Sequence, residues 1–227
     1  MRRVIPLLCL ALSIPALAAD RSGHKEPDWG DVKHWSKVFD DPARDEWQKP
    51  LSVLQFLSIS RGDIVADLGA GTGYFTRLLG IMVGPEGKVY AVDTERAMLK
   101  YLMKREDISV DRVEAVRAAK NDPKLPEGEI DLLLAVNTWH HIEERGAYLA
   151  KVRKALSPAG RVAIVDFIEG DIPVGPPAGA KLPKEEVIAE FEKEGWRFVA
   201  ESFALKYQYM LVFLPAELPD TRRFVNR

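Results

Sequence analysis

The sequence predicts an α/β fold: a seven-stranded, mostly parallel sheet with helices on both faces and a C-terminal antiparallel hairpin. Three observations lead there. Short apolar runs at 64–68, 88–92, 112–116, 130–136 and 161–167 alternate with helical patterns, the arrangement of parallel strands joined by right-handed crossovers. The first run ends in Asp67 and is followed by glycines at 69, 71 and 73, so a strand passes through a tight turn into a helix. The last two runs, 196–203 and 207–214, are separated by a connection too short for a crossover and therefore pair antiparallel.

Taken in order, Arg2 and Arg3 precede an apolar run from Val4 to Ala19 that ends in Ala16-Leu17-Ala18-Ala19. A basic start, an apolar middle and small residues at −3 and −1 predict a secretory signal peptide over residues 1–18, cleaved after Ala18 and too short to span a membrane comfortably. Residues 19–60 form an N-terminal helical cap. Trp29, Trp35 and Phe39 share one helix face, and a second pattern starting at Arg44 carries Leu51, Leu54, Phe56 and Leu57. The main domain runs over 61–215. After strand one comes a helix over 74–83, the turn Gly84-Pro85-Glu86-Gly87 and strand two. Thr94 is placed to N-cap a helix carrying Met98 and Leu102. A short third strand follows, then strand four and a helix over 143–156. Ser157-Pro158-Ala159-Gly160 predicts a turn before strand five. The glycines and prolines of 170–183 predict a loop, 184–194 a helix opened by Pro183, and 216–227 a tail.

The chain has 227 residues and 47% hydrophobic content, enough for one domain with a substantial core. Its single cysteine, Cys9, lies in the leader, so the mature chain has no thiol nucleophile, disulfide or thiolate ligand. Loss of Arg2 and Arg3 with the leader leaves 30 of 32 Lys+Arg against 34 Asp+Glu, a formal charge of −4. That balance argues against a nucleic-acid partner, which needs a basic patch.

Backbone amides at a helix start receive nucleotide-like ligands. The dinucleotide fingerprint has its third glycine three residues after the second. Counted from Gly69 and Gly71, that position is Tyr74, so the spacing fails. Asp-x-Gly-x-Gly-x-Gly at 67–73 instead resembles the first motif of class I S-adenosylmethionine (SAM) dependent methyltransferases, a Rossmann-like, seven-stranded family. The resemblance extends over residues 44–215. It rests also on Asp93 after strand two, Leu125-Pro126 before strand four and the Ser-Pro-Ala-Gly turn, where the family more often has Lys-Pro-Gly-Gly. It implies SAM as cofactor, with Gly69, Ala70, Gly71 and Gly73 around the methionine part and Asp67 holding its amino group. Asp93, which stands 22 residues beyond Gly71, takes the ribose hydroxyls in this scheme, with Thr94 beside it. Asn121 or Asp122 contacts adenine, an Asx-type turn being the alternative for the pair. Asn137, at the end of strand four, completes the cofactor set.

His140 and His141 follow at the carboxyl edge of the sheet, where α/β ligands bind. Two roles are open to them: a general base taking a proton from the methyl acceptor, or support for the next helix and the cofactor. Adjacent side chains diverge and no other His or Cys stands at ligand spacing, which argues against a metal. Asp166, ending strand five, points to the same cleft and is placed to orient an acceptor or to remain an exposed strand-end acid. Glu46-Trp47-Gln48 and Gly175-Pro176-Pro177 are candidate lid elements. The resemblance and the leader together imply an exported bacterial SAM-dependent methyltransferase acting on a small molecule by in-line displacement, without a membrane anchor once the leader is removed. A non-catalytic SAM- or nucleoside-binding module of the cell envelope is the alternative.

Overall fold

The structure, a computed structural model, describes residues 28–218. The leader, Cys9 and the tail beyond 218 lie outside the described residues.

Seven strands make one sheet: β1 (Ile64–Leu68), β2 (Lys88–Asp93), β3 (Val113–Arg117), β4 (Ile130–Val136), β5 (Leu156–Phe167), β6 (Trp196–Ser202) and β7 (Gln208–Pro215). Their order is β3-β2-β1-β4-β5-β7-β6, with β1–β5 parallel and β7 antiparallel between β5 and β6. The chain steps outward from β1 to β3 and then returns to the other side of β1 with β4. That reversal opens a crevice at the carboxyl ends of β1 and β4.

Among the described residues seven α-helices surround the sheet: α1 (Val32–Phe39), α2 (Arg44–Gln48), α3 (Pro50–Leu57), α4 (Tyr74–Val83), α5 (Arg96–Leu102), α6 (Arg145–Ala155) and α7 (Lys184–Lys193). Successive strand side chains point to opposite faces. Val65, Val89, Leu132 and Leu134 therefore pack with Leu54, Leu79 and Leu102 of α3, α4 and α5, while Leu68, Leu133 and Phe213 pack with Leu149 and Phe191 of α6 and α7. Each such side chain contributes about 1.5–3 kcal/mol on burial. Among the described residues no helix is long and apolar enough to cross a membrane.

Local chemistry shifts three boundaries from those expected. The helical pattern beginning at Arg44 splits into α2 and α3, because Lys49 adopts a left-handed φ of 43° before Pro50, which starts α3. Thr94 is not the cap of α5: that position falls to Glu95, whose amide donates to Asp93 Oδ1 at 2.8 Å. Ser157–Gly160 is not a turn ahead of the strand but a bulge inside β5. Ile130 pairs with Leu156 and Leu132 with Arg161, so the four residues 157–160 stand opposite Asp131 alone. Ser157 Oγ fastens the bulge by donating to Asp131 Oδ1 at 2.8 Å.

Candidate active site

The glycine turn is built against the end of β2. Gly69 and Ala70 donate their amides to Val92 O at 2.8 and 3.0 Å, and Gly71 donates to Asp93 Oδ2 at 2.8 Å. All three glycines have positive φ, at 76°, 55° and 93°. A Cβ on Gly69 would lie 2.0 Å from Thr138 Oγ1, and one on Gly73 would lie 2.9 Å from Leu102. A Cβ on Gly71 would meet the Phe39 ring at 3.5 Å and Gly69 O at 3.9 Å, ordinary contact distances, so this glycine faces the cleft beneath α1. Ala70 lies differently from its neighbours: its methyl joins the core on the α4 side.

Two acids flank the turn. Each oxygen of Asp93 accepts one backbone amide, from Gly71 and Glu95. A carboxylate has about four acceptor sites, so capacity remains for two hydroxyls. Burial raises the Asp93 pKa, and the amide hydrogen bonds oppose the rise. Asp67 is buried, and its Oδ2 accepts from Thr76 Oγ1 at 2.6 Å. Desolvation pushes its pKa up to about 6. Thr94 is exposed beside Asp93. Asn121 is exposed and uses its carbonyl to accept from Lys151 Nζ at 2.6 Å. Asp122 Oδ1 accepts the Lys124 amide at 2.8 Å, an Asx turn, and Oδ2 pairs with Lys124 Nζ at 3.0 Å.

Beyond β4 the backbone turns sharply. Asn137 takes a left-handed φ of 55°, a conformation asparagine tolerates better than most residues. Its carboxamide joins a cluster: Asn137 Nδ2 donates to Gln48 Oε1 at 3.3 Å, Gln208 Nε2 donates to Asn137 Oδ1, and Gln48 Nε2 donates to Gln208 Oε1 at 2.5 Å. A short 3-10 turn over Trp139–His141 follows. His140 Nδ1 lies 2.8 Å from Asp166 Oδ1, with side-chain exposures of 5% and 2%. Asp166 Oδ1 also accepts the Phe167 amide at 2.9 Å, so the strand-end acid is a buried partner of His140 and not an exposed group. A carboxylate on Nδ1 selects the tautomer protonated there and leaves Nε2 as the acceptor. The exposed His141 ring lies 4.0 Å from that of His140 and meets Trp29 edge-on at 5.3 Å.

The N-terminal cap covers this crevice. Phe39 sits over Gly71, and Asp40 Oδ1 accepts from Thr72 Oγ1 at 2.9 Å and pairs with Arg105 at 2.8 Å. The two candidate lid segments meet at Phe167: Trp47 lies 5.9 Å from its ring, and a Cβ on Gly175 would lie 2.5 Å from it. Sequence reasoning missed Gln208 and gave Gln48 only a lid role. The spacing of Arg44 and Gln48 on one face of α2 was the only available signal.

The residues fit a nucleoside that carries an amino acid: hydroxyl acceptors on Asp93, an open glycine at 71 and a buried acid at 67. Residues 65–160 match the family model described as a methyltransferase domain. The ubiquinone/menaquinone biosynthesis C-methyltransferase UbiE of Escherichia fergusonii is 28% identical over 156 residues, 65% of this chain and 61% of the relative. The chain therefore spans about three fifths of the length of the curated relatives it matches. A SAM-dependent methyltransferase from Aquifex aeolicus has a TM-score of 0.77 at 28% identity, over 84% of this chain and 100% of that one. The DhpI–SAH complex has a TM-score of 0.65 at 19% identity, over 83% of this chain and 93% of that one, a likeness of fold alone. Sheet order, glycine turn and these similarities agree: residues 65–160 are similar to a methyltransferase domain, and the cofactor they point to is SAM.

Proposed function

We propose that this chain binds SAM and transfers its methyl group to a small molecule, with His140 as the base and Asp166 as the residue that positions it. The observation that carries the proposal is the buried His140–Asp166 pair at the carboxyl edge of the sheet, next to the glycine turn. Asp93 would hold the ribose and Asp67 the ammonium group. When bound, SAM supplies an electrophilic methyl group. His140 Nε2 takes the proton that the acceptor loses, and Asp166 stabilises the imidazolium that results. Such a base suits an acceptor with an acidic O–H or C–H. The relatives named as C-methyltransferases favour carbon. The cap over the cleft keeps water from the reacting groups.

The test is incubation of the purified protein with SAM carrying a deuterated methyl group and a small-molecule extract of the cell envelope. Mass spectrometry is expected to find S-adenosylhomocysteine (SAH) together with a labelled product. His140→Ala and Asp166→Asn are expected to slow transfer about 10²–10⁴-fold, the usual worth of a positioned base, while SAH affinity stays within a factor of a few. SAH binding without label transfer to any component would favour the binding module over the enzyme.

The basic start and apolar run at the N-terminus support export of the chain to the bacterial envelope. N-terminal sequencing of the envelope fraction would then begin at Ala19. A protein retaining Met1 in the cytoplasm would contradict export.

A further inference from the structure

Exposed apolar side chains are ordinary when they are scattered. At the carboxyl end of β5 they gather. Three segments that are far apart in sequence are tied together there: Ile168 donates its amide to Tyr207 O at 3.1 Å, and Lys49 Nζ donates to Ala204 O at 3.1 Å. Each segment leaves an apolar side chain in solvent. Phe203, just beyond β6, is 79% exposed, Leu51 on α3 is 63% exposed and Ile168, just beyond β5, is 36% exposed.

Lysines stand among them. Lys184 Nζ lies 5.9 Å from the centre of the Phe203 ring and pairs with Glu201 at 2.7 Å. Lys206 Nζ lies 5.0 Å from the centre of the Tyr207 ring. Among the described residues neither Lys49 nor Lys206 pairs with a carboxylate, and the exposed Glu46 and Glu169 pair with none of the three lysines. The chain as a whole has a formal charge of −2, so cations around these apolar side chains are a local feature and not a product of composition.

Aromatic and aliphatic side chains interleaved with lysines match a lipid–water interface. The apolar groups leave water among the acyl chains, while the lysine stems lie along them and keep the ammonium groups at headgroup level. Anionic headgroups attract each such lysine.

We propose that this corner docks the protein, peripherally and reversibly, on the surface of an anionic bilayer. The corner lies on the same edge of the sheet as the candidate site: Phe167, next to Ile168, donates its amide to Asp166 Oδ1 at 2.9 Å. Docking therefore brings that edge to the lipid, where a methyl acceptor dissolved in the bilayer can reach it. That consequence rests on the methyl-transfer reading above, whereas the docking itself does not.

Vesicle flotation of the full chain tests the proposal. The natural chain is expected to bind vesicles of equal parts phosphatidylglycerol and phosphatidylcholine about tenfold more tightly than vesicles of phosphatidylcholine alone, and added salt is expected to reduce that preference. Leu51→Ser and Phe203→Ser combined are expected to weaken binding about tenfold, and Lys49→Gln with Lys206→Gln to remove most of the preference for anionic vesicles. Ile81→Ser is the control: Ile81 is 65% exposed near the far end of α4, away from the corner, and its loss is expected to change nothing. The leader is the same in every chain, so the differences between variants read the corner alone. Urea midpoints equal to that of the natural chain establish that the variants are folded. Failure of the natural chain to bind anionic vesicles, unchanged binding by the corner variants, or an equal loss in Ile81→Ser would overturn the proposal. So would a vesicle-free dimer of the natural chain that Leu51→Ser and Phe203→Ser dissolve, because a second copy would then be the occupant. SAH titration of the same preparations is read separately: its failure would refute the SAM reading and leave the vesicle result standing.

Discussion

Gly69 and Gly71 are glycines for different reasons. At Gly69 the protein itself leaves no room, since a Cβ would overlap Thr138 Oγ1 at 2.0 Å. At Gly71 the protein leaves ordinary contact distance, and only the φ of 55° and the facing cleft demand glycine. Gly69→Ala is therefore expected to destabilise the fold by more than the about 1–2 kcal/mol of a left-handed non-glycine residue, measured by urea unfolding. Gly71→Val is expected to cost little beyond the backbone term and to abolish SAH binding. Equal destabilisation by the two changes would contradict this division. Asp67, Asp93 and His140 were legible in the sequence because each ends or follows an apolar run, and the strand itself carries the residue to the sheet edge. Gln48 and Gln208 were not, since 160 residues separate two amides that meet only after folding. The same holds for the stacking of Arg44 on the Tyr74 ring, which depends on how the cap lies across the sheet.

Secondary elements were read from periodicity with good agreement where burial is two-sided. β4, apolar almost throughout, has the bounds expected, whereas the bulge in β5 escaped because Ser-Pro-Ala-Gly carries turn composition whether or not pairing resumes around it. The most consequential element was only partly legible. The aromatic face of α1 was visible, but its destination was not: Phe39 covers Gly71, Trp29 meets His141, and Asp40 clasps Thr72 and Arg105. α1 thus lies over the glycine turn and is expected to move when a ligand enters or leaves. Phe39→Ala is expected to raise the SAH dissociation rate about tenfold, equivalent to about 1.4 kcal/mol, in stopped-flow displacement. An unchanged rate would show that α1 does not gate the cleft.

At the scale of the whole molecule, burying Asp67 makes stability and binding depend on pH in opposite directions. Its folded pKa of about 6 lies above the unfolded value of about 3.9. The folded state therefore holds the proton more tightly, and this group's contribution to stability of the free protein declines as pH rises from about 4 to about 6. A ligand ammonium prefers the ionised acid, so SAH affinity is expected to rise up to about tenfold per pH unit below pH 6 and to level off above it. Asp67→Asn is expected to remove most of that slope, the remainder coming from Asp93, whose pKa burial also raises. A pH-independent affinity in the natural chain would place the ammonium elsewhere. The overall architecture was the most legible level of all, because alternating strands and helices leave few topologies and the reversal between β1 and β4 then locates the cleft. The surface where α2, the end of β5 and the 170–183 loop meet at Phe167 was not legible, because none of the three carries a local motif. The central claim, a SAM cleft at the glycine turn, is tested most directly by calorimetric titration of SAH into the full chain. One-site binding in the micromolar range, lost in Asp93→Ala, is the predicted result, and no heat of binding at high micromolar SAH would contradict it.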